Sequence, residues 1–529
     1  MQILEGRLIL SATDLVGHLA CEHLTALELG GARGDWRRPV HDDPLLDLVQ
    51  KKGLEHERRL LERFESEAKV VARLAVNPAR SLQDLYDAEA RTVDAMRSGA
   101  DAIYQATFFD GRWRGHPDFL IRVDRPSRLG AWSYEPADAK LVRRVEAAAL
   151  LQLSSYADRL SQIQGVAPEH IAVVTGDGTL RPHRLSDYGA YYRAVKEAAE
   201  TRLFTTGDAR LTHPDPVDHC RICRWFAECG DRRAQDDHLC RVANITRTQT
   251  KRLATGGITT LTALAATPDD ARAADMVKST FDRLRRQARL QRLQYADDRV
   301  RYELIPPDPA EPSRGLAALP EPSPGDVFLD FENDPWAGEE GREYLAGFLV
   351  ERAGAPEYRA LWSHSAAEEK QSLERFLDFV MARLREDPRM HVYHYGAYES
   401  VALKRLVSRH GTREDELDEL LRGDVLVDLY AIVRQGVRVS QESYSLKKVE
   451  KLYMPEREGP VTRPGFAIVE YERWLETSDC SILDSIAAYN RDDCVSVWKL
   501  RSWLEERLRE AESRFGAELG RPAIKDGKP

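Results

Sequence analysis

The sequence predicts a multidomain protein of the α/β class, and three observations carry that expectation. Its 529 residues are enough for about three domains, each with its own core. Short strand-like apolar runs, FLIRV and VFLDF among them, recur between longer stretches with helical spacing. Charge is also unevenly placed. The chain carries −10 overall, yet residues 241–300 hold 12 Lys and Arg against 6 Asp and Glu. A basic centre between acidic flanks suits a phosphate backbone in the middle and cation sites on either side.

Residues 1–60 read as largely helical, with Ser11 as a cap ahead of apolar residues at helical spacing. No run of about 18 apolar residues marks a membrane span, and Glu5 sits where a secretory leader would be basic. The expectation is a cytoplasmic protein with no membrane association. Disulfides are rare in that compartment, so the seven cysteines invite a metal or cluster reading.

KKGLEHERRLLERF is a charged amphipathic helix, and DAIYQATFFDGRWRG reads as a hairpin leading into RGHPDFLIRVDRPSRLGAWSYEPADAKL. That stretch looks like two strands, Asp118 on the first, Asp138 and Lys140 on the second. Alternate strand residues share a face, so Asp138 and Lys140 point the same way. Two carboxylates and an ammonium there suit Mg²⁺ or Mn²⁺, with the lysine orienting or deprotonating a water. On the next helix Gln152 and Tyr156 stand one turn apart.

These three parts in order resemble the RecB-like branch of the PD-(D/E)XK nuclease superfamily. The resemblance implies metal ligands at Asp118 and Asp138 and catalytic roles for Lys140, Gln152 and Tyr156. It adds His56, three residues after Gly53, as a further ligand, although that spacing is one residue shorter than the common form. The strand also departs from the family in reading DAK, with Ala139 where an aromatic or apolar residue is frequent.

VAPEHIAVVTGDGTLRPHRL reads as two more strands around a GDG turn. HCRICRWFAECG then places Cys220, Cys223 and Cys229 as C-x2-C-x5-C, a spacing that favours a soft metal or an iron–sulfur cluster. Cys21, Cys240, His219 and His238 are all available as a fourth ligand. The triplet with an early cysteine resembles iron–sulfur RecB-like nucleases. It implies a structural [4Fe–4S] cluster on Cys21, Cys220, Cys223 and Cys229, with Zn²⁺ as the alternative.

ITRTQTKRLATGGITTLTALA resembles a helix-hairpin-helix unit around Gly256 and Gly257, with Arg247, Lys251 and Arg252 as counter-charge to a nucleic-acid backbone. FDRLRRQARLQRLQY extends that basic character along a helix. The Pro-rich stretch 305–326 reads as a linker.

VFLDFEND sets Asp330 and Glu332 on one strand face, Glu399 follows at a strand–helix junction, and Asp428 lies in DVLVDLYAIV. Tyr489 and Asp493 stand one turn apart on the last long helix. The set resembles the tyrosine-bearing DEDD (DnaQ-like) exonucleases of the RNase H-like fold. It implies metal ions on Asp330, Glu332 and Asp493, Glu399 in the place of the usual second Asp, Asp428 in support, and Tyr489 positioning water. Together the two halves resemble RecB-like nucleases fused to a YprB-like domain.

The expected organisation is a nuclease domain over 1–240, a basic segment 241–304, the linker 305–326, an exonuclease domain 327–510 and a tail 511–529. The expected activity is metal-dependent hydrolysis of DNA, at ends or in single strands, during repair or processing. A binding scaffold with degenerate sites and an RNA-processing nuclease are the alternatives. No Walker A motif occurs, so a superfamily 1 helicase would be a separate partner.

Overall fold

The computed structural model describes residues 1–40, 43–67, 69–206, 212–273, 275–338, 340–352, 354–455, 457 and 465–527. It divides into two compact units, Met1–Arg232 and Arg233–Pro529. The basic segment expected to stand alone over 241–304 therefore belongs to the second unit. No helix among the described residues is long and apolar enough to cross a membrane.

The first unit is built on six strands: β1 (Val71–Arg73), β2 (Ala102–Tyr104), β3 (Phe119–Val123), β4 (Ser133–Ala139), β5 (His170–Val174) and β6 (Leu180–Arg184). They lie side by side in chain order. β3 and β4 are antiparallel, with Phe119 opposite Ala137, whereas β4 and β5 run parallel. Period-two alternation sorts the side chains. Leu120, Tyr134, Ile171 and Val173 pack on one face with Leu153, Ala157 and Leu160 of α2 (Ala147–Gln164). Phe119, Ala137, Ala172 and Val174 pack on the other with Leu60, Leu61 and Phe64 of α1 (Pro44–Ser66). Each leucine, isoleucine, valine or phenylalanine among them contributes roughly 1.5–3 kcal/mol on burial.

The N-terminus departs from the helical expectation. Gln2–Leu4 and Arg7–Ser11 form an antiparallel pair, turned by Glu5 and Gly6 at φ 48° and 77°. Two consecutive positive φ values make the tight turn that matches strand twist. Helix follows at Ala12, with Ser11 as the cap and Asp14 closing a capping box. The GDG hairpin forms as read, β5 against β6.

In the second unit, α3 (Lys278–Asp297) follows the basic hairpin, and five strands make the sheet. These are β7 (Val327–Asp334), β8 (Arg342–Arg352), β9 (Ala355–Trp362), β10 (Val392–His394) and β11 (Leu426–Asp428), in the order β9-β8-β7-β10-β11. The first three are mutually antiparallel, and β10 and β11 run parallel to β7. Val327, Leu329 and Phe331 face α4 (Ala366–Glu386) and α5 (Tyr398–His410). Phe328 faces the opposite layer, which includes α6 (Leu429–Gly436) and α7 (Cys480–Phe515). Asp330 and Glu332 have the parity of Phe328, so they point toward α7.

The stretch 305–326 does not behave as a linker. Leu316 and Leu319 are buried in the α6–α7 core, because LAAL between prolines supplies apolar side chains that a solvated tether would lack. The expected tail is also docked, through Arg521 ion-paired with Glu505 at 2.6 Å. The arginines of α3 are less available than a run of like charge suggests. Arg285 is buried on Asp282 and Asp269, and Arg289 holds Asp269.

Two candidate carboxylate sites

In the first unit, the ends of β3 and β4 bring Asp118 and Asp138 together. The Asp118 N–H donates to Asp138 Oδ1 (3.2 Å), and the Ala139 N–H donates to Asp118 Oδ2 (2.8 Å). Lys140 Nζ lies 3.1 Å from Asp138 Oδ2. Burial, then the Asp138 charge, pushes the Asp118 carboxyl well above its ordinary range. Burial works to lower the Lys140 ammonium, but Asp138 and Asp118 outweigh it and hold it protonated. A permanently charged lysine suits orienting and stabilising charge better than taking a proton.

Gln152 Nε2 donates to the Tyr156 hydroxyl (2.7 Å), and burial followed by Asp138 keeps that phenol neutral. Tyr156 has room because Gly115 faces it. A Cβ at 115 would lie 2.6 Å from its ring. His56 turns elsewhere. Its Nε2 donates to the Val174 carbonyl (3.2 Å), and no group of three ligand atoms within 4.8 Å includes it among the described residues. Its neighbour Glu57 is the group that feels Asp138 and Lys140. Glu57 carried no local signal, because successive helix positions point in different directions and the sequence does not say which of the two turns inward.

The cysteines lie in the same unit. Cys21 caps a helix by accepting the Leu24 N–H (3.4 Å), and Cys220 accepts the Val217 N–H (3.4 Å). Burial pushes the Cys223 thiol up, and Cys220 and Cys21 add to it, so these three are neighbours. Cys229 is on the helix Phe226–Gln235. No three of the four sulfurs come within 4.8 Å of one another among the described residues.

In the second unit, oxygens of Asp330, Glu332 and Asp493 lie within 4.8 Å of one another. β7 supplies the first two at i and i+2, and α7 supplies the third. Such a donor set fits a hard divalent cation. Burial, then Asp493, raises Glu332 to about 8. The same causes, with Glu332 and Glu399 added, push Asp330 well above the carboxylate range. These shifts express burial first and crowding of negative charge second. Burial and then Asp493 also keep Tyr489 a neutral phenol, so its O–H can donate. Lys447 Nζ sits 4.8 Å from its ring centre.

Glu399 is buried, with Oε2 3.5 Å from His394 Nδ1. It raises Asp330 and Glu332 electrostatically but stands outside the 4.8 Å group. Asp428 has a different employment. Its Oδ1 accepts N–H bonds from Gly396 (2.8 Å) and Tyr430 (2.9 Å), capping α6.

Three residues absent from the sequence reading complete the site. Asn490 Nδ2 donates to Asp330 Oδ2 (2.8 Å). Arg457 Nη1 lies 2.7 Å from Asp493 Oδ1 and Nη2 2.6 Å from Glu450 Oε2. Lys447 is the third. Only Asn490 carried a signal, being next to Tyr489 on α7.

Gly347 on β8 pairs opposite Asp330. An added Cβ there would stand 1.5 Å from Asn490 Oδ1 and 2.6 Å from its Cγ. Gly347→Ala is therefore expected to displace Asn490 from Asp330 and cost about 1–3 kcal/mol of stability, read by chemical denaturation of both proteins.

A divalent ion must displace the protons that crowding places on Glu332 and Asp330. Apparent Mn²⁺ affinity should then rise with pH to about 8, by up to about tenfold per unit for each proton released. Electron paramagnetic resonance titration of the Asp138→Asn protein at several pH values isolates this site. The sign for stability is opposite: a raised carboxyl destabilises the cation-free fold as pH climbs from its unfolded value toward about 8.

This α/β domain, with two carboxylates on its first strand and a third on its last helix, is similar to a known class. A family model described as RNase_H superfamily matches residues 327–505, from the start of β7 into α7. The second unit thus carries an RNase H-like domain, consistent with a nuclease acting on nucleic acid. A search of curated proteins returns no match.

The basic hairpin consists of the helices Arg247–Thr255 and Leu261–Ala266 around Gly256 and Gly257, the latter at φ 84°. Leu253, Leu261 and Leu264 make its core. Arg247, Lys251, Arg252 and both glycines are exposed.

Proposed function

We propose that the protein is a metal-dependent nuclease with two hydrolytic sites, acting on DNA at ends or in single strands in repair or processing. The observation that carries this reading is the convergence of Asp330, Glu332 and Asp493 within 4.8 Å in an RNase H-like domain. Mg²⁺ or Mn²⁺ at such a site supplies Lewis-acid stabilisation and a nucleophilic hydroxide. Asp330, Glu332 and Asp493 would hold the ion, Asn490 fixes the Asp330 carboxylate, and the Tyr489 hydroxyl orients water. In the first unit, Asp118 and Asp138, with Glu57, are the ligand candidates and Lys140 is the charge stabiliser. The exposed basic hairpin would engage the backbone, and a superfamily 1 helicase is the proposed motor partner.

Cleavage of end-labelled single-stranded DNA by the full chain, with Mg²⁺ or Mn²⁺ and with chelator, tests the reading. No cleavage of DNA or RNA with either ion would favour the second reading, a nucleic-acid-binding scaffold. One observation speaks for that alternative: Arg457 already places a cation on Asp493. RNA as the substrate is the outcome in which only RNA is cut.

Cys21, Cys220, Cys223 and Cys229 would hold a [4Fe–4S] cluster, supported by the electrostatic effect of Cys220 and Cys21 on Cys223. It would staple the first unit across some two hundred residues, a closure worth on the order of 4–5 kcal/mol by analogy with cross-links. Anaerobically purified protein should be brown and absorb near 400 nm (roughly, for thiolate-bound iron), and Cys223→Ser should bleach it and lower its melting temperature. A colourless protein containing zinc would overturn the cluster.

A further inference from the structure

Away from both carboxylate sites, the second unit contains a cavity of about 630 Å³ between α3, the Pro-rich segment and the α6 end. Its lining includes Arg283, Arg314, Arg434 and Arg438, with Asp308 and Glu311 as its carboxylates. Two of the four arginines are neutralised within the fold. Arg438, buried, lies 2.8 Å from Glu303, and Arg314 pairs with Glu311.

Arg283 and Arg434 are different. Both are exposed, and neither has a carboxylate within ion-pair distance among the described residues. Partial burial of the guanidinium, then Arg434 and Arg438, pulls Arg283 below its ordinary range, so the three positive groups face one another. Glu303 offsets Arg438, but Arg283 and Arg434 meet there with no carboxylate at ion-pair distance among the described residues; such crowding weakens a fold, and an anion between them reverses the sign. Guanidinium forks match phosphate oxygens in particular.

The remaining wall fixes the size and character of the ligand. Gln287 is locked, its Oε1 accepting from Tyr444 and its Nε2 donating to the Val439 carbonyl. Ile305, Pro306 and Leu316 give an apolar side. The volume lies in the range of small-molecule sites and is far larger than a bare phosphate.

We propose that this cavity binds a nucleotide unit, with Arg283 and Arg434 clamping its phosphate and the apolar side covering its sugar or base. The nucleotide is either part of a strand or free, since the phosphate chemistry is shared. Binding is independent of cleavage at either carboxylate site.

The test uses the full chain in EDTA, which removes hydrolysis from the readout. Adenosine 5′-monophosphate is titrated by calorimetry and a labelled single-stranded oligonucleotide by anisotropy, each at several salt concentrations. The Arg283→Gln/Arg434→Gln protein is compared with wild type and with Arg375→Gln, a charge removed from the exposed face of α4. A fall of tenfold or more for the monophosphate assigns the cavity to free nucleotides. A fall for the oligonucleotide, with a salt dependence shallower by about two phosphates, assigns it to a strand. If the double variant binds both ligands as wild type does, or wild type binds neither, the site is overturned. The melting temperature of the double variant should be unchanged or higher, because a repulsion has been removed. A failed cleavage assay with intact binding would sink the nuclease reading and leave this one standing.

Discussion

Asp330→Asn should reduce the metal-dependent cleavage contributed by the second unit on the order of a thousand-fold while leaving the cation-free protein as stable as wild type or more so. The two halves of that expectation have separate causes. Asparagine keeps the size of the side chain, and its carbonyl oxygen can still accept the Asn490 N–H that now reaches Asp330 Oδ2. It replaces a carboxyl that burial, then Asp493, Glu332 and Glu399, push well above the carboxylate range, so the fold loses a repulsion. What it removes from the reaction is an anionic oxygen in the group that includes Glu332 and Asp493, without which a divalent cation is held poorly. Cleavage rates with Mn²⁺, taken in the Asp138→Asn background so that only the second unit cuts, and a melting curve in EDTA read the two effects. Retained cleavage, or a protein that no longer folds, would contradict the assignment.

The second large effect is expected at Lys140. Lys140→Met should remove the cleavage belonging to the first unit by about a hundred-fold or more, and it should also destabilise. Asp138 is fully buried, and its counter-charge is Lys140 at 3.1 Å. Breaking a wholly buried pair costs about 3–5 kcal/mol; the Lys140 side chain is 29% exposed, so about 1–2 kcal/mol is the expectation here. Lys140→Arg separates the roles, since it restores charge but carries it on a planar fork instead of a compact ammonium. Stability should return with arginine and cleavage should not. Combined with Asp330→Asn, the losses should add, because the residues belong to independent carboxylate groups.

Much of each site was legible because the regular spacings of strand and helix place residues on faces. Asp138 with Lys140, and Asp330 with Glu332, needed only the two-residue period of a strand. Tyr489 with Asp493, and Gln152 with Tyr156, needed only one helical turn. What could not be read came from contacts between distant segments. Arg457 reaches Asp493 from a loop 36 residues away, and nothing local announces it. Asp428 illustrates a second limit, since a carboxylate at the end of a strand serves a helix cap as readily as an ion. The arginines of α3 illustrate a third. Their partners Asp269 and Asp282 lie within twenty residues, but a composition count does not say which charges meet. Gly347 and Gly115 were invisible for the same reason, because what each leaves room for comes from a different segment.

The docking of the Pro-rich segment has a consequence for how the second unit melts. Tyr302–Leu304 zips onto Val437–Val439, Tyr302 packs edge-on against Trp503, and Leu316 and Leu319 lie in the interior. The region recognisable by descent begins at residue 327, but the cooperative block begins earlier. A chain severed between the two points would leave greasy sockets open, and inheritance and thermodynamics would part company at that cut.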